Sequence, residues 1–249
     1  MKMKKLFELK KVWVNMITVL KNWDEIGECV IHLQDSNGPL HHQPQKNWDL
    51  FHMLKIIEDN VGKSDCILDV GANGCPVLEA LFNRGYKDLY GIDLRFGFRE
   101  KFKRVVMAAL HHRDFRIFYG YSPIKLINGN LCKTSFPENK FGAITSLSVV
   151  EHGIKWDDYF KEMSRILKPG GYLLTSTDYW KEKINTDGIF ACGAPMKIFI
   201  PQEIVEGLSI AFKNGFKKIA TVIPECNQPC VTFEKVRYTF LLFVLQKED

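Results

Sequence analysis

Two acidic residues in this chain stand where a charged small ligand could be held. The stretch Ile67-Leu68-Asp69-Val70-Gly71-Ala72-Asn73-Gly74 runs from apolar residues through an acid into a turn of small residues. Glycine frees the backbone there and lets a ligand approach the main chain. The helix expected next offers unpaired N–H donors at its first turn. A turn that binds a dinucleotide reads G-x-G-x-x-G and needs no acid in the strand end. Here Asp69 precedes the glycine, and a carboxylate there suits a positively charged group such as the ammonium of an amino acid. Asp93 follows at the end of Leu89-Tyr90-Gly91-Ile92-Asp93. An acid after a second strand can accept both hydroxyls of a ribose.

Together the two acids describe a nucleoside with a cationic amino-acid tail, and S-adenosylmethionine is such a molecule. Two later segments could act on an acceptor. Ser146-Leu147-Ser148-Val149-Val150-Glu151-His152 places His152 as a general-base candidate, since an imidazole titrates near neutrality. Alternatively Glu151 and His152 orient the loop over the ligand. In Thr177-Asp178-Tyr179-Trp180, Asp178 could take a proton, while Tyr179 and Trp180 could wall a pocket or belong to the core. His41-His42, between Pro39 and Pro44, is a candidate pocket rim or an exposed loop.

The elements that must position these residues follow from the apolar pattern. Strands are predicted at Cys66–Val70, Leu89–Asp93, Ile124–Leu131, Phe141–Val149, Tyr172–Thr177, Phe216–Ile223 and Val236–Leu245. Helices are predicted at Met1–Trp23, Trp48–Asn60, Pro76–Arg84, Phe98–Leu110, Asp157–Leu167 and Pro201–Lys213. Such alternation argues an α/β fold with a parallel sheet covered on both faces. The last two strands have no convincing helix between them, which allows antiparallel pairing. The expected organisation is an N-terminal helical extension or cap over residues 1–62 and one domain over 63–249. A lid-like insertion is expected at about 179–200.

The ordered motifs resemble those of class I, Rossmann-like S-adenosylmethionine-dependent methyltransferases, in their small-molecule branch. They are Ile67 to Gly74, Gly91-Ile92-Asp93, Asn128-Gly129-Asn130-Leu131, Phe141 to Ser146, and Leu167-Lys168-Pro169-Gly170-Gly171. The resemblance covers roughly Asp65 to Leu245. It implies a seven-stranded, mostly parallel sheet with the last strand antiparallel, in a three-layer α/β/α sandwich. It also implies that Asp69, Gly71, Ala72, Asn73 and Gly74 bound the cofactor's methionine part. Asp93 would hold the ribose, Asn130 with Leu131 would flank the adenine, and Leu94, next to Asp93, is counted with the cofactor-binding residues. The family turn usually reads G-x-G-x-G, whereas here Asn73 and Cys75 stand at the second and third glycine positions. Either Asn73 substitutes, or the turn is one residue shorter and Gly74 does the work. Some quinone and RNA methyltransferases carry E-x-x-E-H after the fourth strand and bind a divalent metal. Ser148 stands where the first Glu would be, which argues against a metal.

Composition limits the alternatives. The chain has 249 residues, 46% hydrophobic and 25% charged, with a formal net charge of +5. That balance is far from a dedicated nucleic-acid binder. A basic stretch from Arg95 to Arg116 is the one hint of RNA, and no RNA-binding module accompanies it. Seven scattered cysteines fit reduced thiols better than a disulfide framework. No window reaches the roughly 20 apolar residues of a transmembrane helix, so the expectation is a cytoplasmic protein. The expected function is methyl transfer from S-adenosylmethionine to a hydroxyl of a small-molecule acceptor, such as a sugar or glycan intermediate. The alternatives are an RNA or protein methyltransferase and a non-catalytic cofactor-binding relative. Nothing in the sequence sets the oligomeric state.

Overall fold

The apolar runs line up as one sheet. The computed structural model describes residues 16–36, 38–74, 76–96 and 124–249. Its strands are β1 (Met16–Val19), β2 (Ile67–Val70), β3 (Leu89–Asp93), β4 (Ile124–Asn128), β5 (Phe141–Leu147), β6 (Leu167–Tyr179), β7 (Phe190–Ala191), β8 (Ala194–Pro195), β9 (Val231–Phe233) and β10 (Val236–Gln246). Among the described residues the helices are α1 (Trp23–Asp35), α2 (Lys46–Asn60), α3 (Val77–Asn83), α4 (Trp156–Ile166) and α5 (Pro201–Lys213). The main sheet has the order β1-β10-β6-β5-β2-β3-β4, with β9 paired on β10. Strands β4, β3, β2, β5 and β6 are mutually parallel, and β10 runs antiparallel to β6.

Side chains alternate between two cores, as the two-residue period of a strand requires. Ile67, Leu174, Leu242 and Val244 face α1, α2 and α3. Leu68, Val70, Leu173, Leu241 and Phe243 face α4 and α5. The helices are specified locally. Asn22 accepts the Glu25 N–H at 3.1 Å and starts α1. Pro201 opens α5, where the Glu203 carboxylate accepts the Ile200 N–H at 3.1 Å. Helix α4 carries Asp157 and Asp158 in its first turn and turns Tyr159, Phe160, Met163 and Ile166 inward.

The structure corrects two expectations. The predicted helix Met1–Trp23 does not hold over residues 16–22; residues 1–15 lie outside the described residues. Met16 to Val19 form a strand instead, pairing antiparallel with β10 from Met16 opposite Val244 to Val19 opposite Leu241. Ile17, Thr18 and Val19 are β-branched and alternate in burial, and both properties favour a strand. The second correction concerns Phe216–Ile223, which is not a strand. Only Phe216 bridges Lys247, and the Lys217 N–H donates to the Gln246 carbonyl at 2.8 Å. The segment then leaves the sheet, and β1 occupies the rest of the edge beside β10. Leu20 fixes that arrangement: its N–H donates to the Phe240 carbonyl at 2.9 Å, and its carbonyl accepts the Thr239 hydroxyl at 2.6 Å. The predicted helix Phe98–Leu110 lies outside the described residues, as do most of the basic stretch and Cys75. No helix among the described residues is long and apolar enough to cross a membrane.

Candidate functional site

Parallel strands in this order leave a crevice beyond their C-terminal ends, where open α/β sheets bind ligands. The turn after β2 forms one part of it. The Gly71 and Ala72 N–H groups donate to the Ile92 carbonyl at 2.9 and 3.2 Å, which ties the turn to β3. Gly71 has φ of 69°, and a Cβ there would lie 2.3 Å from a methyl of Val149. Gly74 has φ of 77°, whereas Asn73 is not among the left-handed residues. Gly74 therefore takes the left-handed position in the turn. The Asn73 N–H donates to Asp93 Oδ2 at 3.3 Å, and the Arg95 N–H to Asp93 Oδ1 at 3.2 Å. The Asp93 carboxylate is thus aimed across the turn. Leu94, next to it, is 79% exposed. Asn130 Oδ1 accepts the Cys132 N–H at 2.9 Å, and Leu131 is buried. Asp69 is only 1% exposed, and its Oδ1 accepts the Thr145 hydroxyl at 2.7 Å. Its carboxyl sits behind the turn and braces β2 against β5.

The second part is a buried charged cluster under α2. Asp178 points to the α2 face of the sheet, hydrogen-bonded to Tyr238 and close to Glu151, Lys46 and His152. Burial, then the Glu151 charge, pushes the Asp178 carboxyl well above the usual carboxylate range. Burial raises Glu151 as well, against the Lys46 charge and the Thr177 hydroxyl, which donates to Glu151 Oε2 at 3.1 Å. Burial chiefly lowers His152, keeping the imidazole neutral, while Asp178 works in the opposite sense. The structure therefore brings together the two residues that the sequence singled out as proton acceptors.

Helix α2 supplies two members of the cluster that the sequence reading missed. The Lys46 ammonium donates to the Ser148 hydroxyl, lies 3.7 Å from Asp49 and sits 3.6 Å from the centroid of the Phe240 ring. Asp49 is fully buried facing Ser176 and Asp178, and burial pushes its carboxyl up to about 7. The signal was present: Asp49 falls on the stripe completed by Met53, Ile56 and Ile57, and an acid on an apolar helix face needs a reason. Ser148 holds a left-handed φ of 52°, a strained backbone of the kind that collects at functional sites. Among the described residues no three His, Cys, Asp or Glu side chains converge to hold a metal ion.

The remaining candidates fall at different depths. Tyr179 is 2% exposed, on the sheet face opposite Asp178, packed in the core with Phe199 and Ile204. Trp180 is half-buried, and its N–H donates to the Phe199 carbonyl at 2.9 Å. The His41 and His42 rings stack at 4.4 Å, just before α2. Burial, then the charges of His42 and Lys46, lowers His41 to about 4, which places it within electrostatic reach of the cluster.

The sheet order, the glycine turn after β2 and the acid ending β3 define the class I methyltransferase architecture. Residues 68–175 match the family model described as a methyltransferase domain. A 48-residue stretch is 35% identical to the sterol 24-C-methyltransferase erg-4 of Neurospora crassa; the match spans 19% of this chain and 13% of that protein. Among solved structures, the chain is similar to the 1,6-didemethyltoxoflavin-N1-methyltransferase of Burkholderia thailandensis, which was solved with 1,6-didemethyltoxoflavin and S-adenosylhomocysteine bound. The TM-score is 0.54 at 17% identity, over 92% of each chain. It is also similar to the cyclase SpnF, with a TM-score of 0.53 at 15% identity, over 91% of this chain and 93% of that one. At these identities the likeness is one of fold.

Proposed function

We propose that the chain transfers a methyl group from S-adenosylmethionine to a hydroxyl of a small molecule, such as a sugar or glycan intermediate. The cofactor of a class I methyltransferase domain is S-adenosylmethionine. The observation that carries the reading is the adjacency of two parts. The Gly71 turn, with the Asp93 carboxylate beside it, opens next to the buried cluster of Asp178, His152, Glu151 and Lys46. In particular, Val149 packs on Gly71 while the chain runs on directly into Glu151 and His152.

Gly71, Ala72, Asn73 and Gly74 border the methionine part, with the carboxyl of Asp69 behind them. Asp93 takes the ribose hydroxyls. Leu94, an exposed apolar side chain, gives a purine a surface to cover, with Asn130 and Leu131 at its other edge. Bound there, the cofactor supplies a methyl group activated by sulfonium charge. The chain must then align an acceptor oxygen and accept its proton. With the cofactor and acceptor in place, Asp178 would accept the proton of the acceptor hydroxyl as the methyl group is transferred, with His152 beside it. Their perturbed acidities suit a proton acceptor working near neutrality. Trp180, His41 and His42 border the acceptor, while Tyr179 supports the strand from the core.

Calorimetric titration with S-adenosylmethionine, S-adenosylhomocysteine and NAD tests the cofactor. Binding of the first two but not NAD is expected, followed by turnover on hydroxylated sugars. Binding of neither would overturn the reading, and binding without turnover on any acceptor would favour a non-catalytic relative.

A further inference from the structure

A second cavity adjoins the cluster, between the loop after β5 and the segment that carries β7 and β8. Its volume is about 400 Å³, within the range of small-molecule sites. Val150, Ile154, Pro195 and Met196 give it an apolar lining, and its charged groups are Glu151, Lys183, Lys197 and Glu203.

Lys183 and Lys197 each approach the same oxygen, Glu203 Oε1, at 3.3 Å. Glu203 is committed: its other oxygen accepts the Ile200 N–H at the start of α5. Although burial opposes it, that hydrogen bond and the two ammonium groups hold the Glu203 carboxyl below its ordinary range, so it carries a full negative charge. Glu151 is buried against Thr177 and faces the cavity as a carboxyl that resists ionisation. Two ammonium groups thus crowd a single carboxylate oxygen, and each keeps donor capacity for a further acceptor. Lys197 is also held in place by the Phe199 ring, 4.5 Å from its ammonium.

We infer that this cavity binds an anionic group, a phosphate monoester or a carboxylate, carried on an apolar body. The inference rests on the methyltransferase reading in one respect: the anion would be the far end of the methyl acceptor, with its reacting hydroxyl toward Asp178. The anion replaces part of the Glu203 contact and takes one hydrogen bond from each lysine, while Val150, Ile154 and Met196 cover the body. Charge-assisted hydrogen bonds of this kind favour an anion over its neutral isostere by about tenfold or more.

The test uses phenyl phosphate, benzoate and phenol as probes, titrated calorimetrically into the full chain in the presence of S-adenosylhomocysteine. Phenyl phosphate or benzoate is expected to bind about tenfold more tightly than phenol. The Lys183→Ala/Lys197→Ala double variant is expected to lose that preference and keep its affinity for S-adenosylhomocysteine. Lys183 is 63% exposed and Lys197 43%, and neither belongs to the core, so the variant should fold. Equal binding of the three probes to the wild-type protein, or an anion preference unchanged in the double variant, overturns the inference. Failure of S-adenosylhomocysteine to bind overturns the cofactor reading separately and leaves the anion measurement to stand on its own.

Discussion

The ammonium of Lys46 lies 3.6 Å from the centroid of the Phe240 ring, on the sheet face that also carries Asp178. It is the cation that Asp49, Glu151 and Asp178 all sense. Replacing it with Met keeps the apolar stem and removes the charge. The three carboxyls then hold their protons to higher pH, and ionising them in the folded state becomes costlier. Lys46→Met should destabilise the protein by about 3 kcal/mol near pH 8 and by less near pH 6. Urea unfolding at both values checks this. An equal loss at both would mean that Lys46 acts through packing alone.

Asp49 gives a pH signature of its own. Its folded-state pKa is raised to about 7, above the value of about 4 for an unfolded aspartate. Between those values the folded state holds a proton that the unfolded state has lost, so stability falls as pH rises from about 4 to about 7. Above that window the cost is constant. Asp49→Asn removes it, and the variant should gain about 4 kcal/mol relative to wild type at pH 8 over its relative stability at pH 4. Melting temperatures of both proteins across this range test the point. Parallel curves would show that Asp49 titrates normally and that the cluster is wetter than its burial implies.

The turn after β2 and the acid that ends β3 were legible in the sequence because their constraints are local. A glycine before a helix and an acid at a strand end are set by neighbours in the chain, and Gly71, Gly74 and Asp93 occupy the turn and strand end expected of them. The charged cluster was half legible. Asp178 and His152 stood out at strand ends, but Lys46 and Asp49 reach them from a helix more than a hundred residues away in sequence. No local pattern reports which side chains of α2 lie over Ser176. The edge strand was misread for a related reason. Phe216–Ile223 and Met16–Val19 are both apolar enough to pair with β10, and the choice between them depends on tertiary anchoring at Leu20.

That anchoring makes β1 a structural requirement. Val19 is fully buried opposite Leu241, and without β1 the edge of β10 would offer unpaired backbone groups. Val19→Asp places an uncompensated carboxylate in the core and should cost at least about 3 kcal/mol. The variant should also aggregate at concentrations where wild type does not. A urea midpoint within error of wild type would mean that β1 is not docked in solution.

The turn after β2 yields the sharpest prediction because two independent effects oppose any side chain at Gly71. Its left-handed φ costs an alanine about 1–2 kcal/mol, and the added methyl would meet Val149 at 2.3 Å. Relief by moving the turn would pull Ala72 and Asn73 from their hydrogen bonds to Ile92 and Asp93. Gly71→Ala should therefore weaken S-adenosylhomocysteine binding by roughly tenfold or more. Gly71→Ala/Val149→Ala removes the clash but not the strain, so it should recover part of the loss. Asp93→Ala provides the comparison. It adds no backbone strain but removes the proposed ribose acceptor together with the Asn73 N–H hydrogen bond, and a charge-assisted hydrogen bond lost there should also cost roughly tenfold or more. Calorimetric titration of the three variants separates the effects. Unchanged affinity in both Gly71→Ala and Asp93→Ala would mean that the cofactor lies elsewhere. Loss in Asp93→Ala alone would mean that the ligand depends on the Asp93 carboxylate and tolerates a side chain at Gly71.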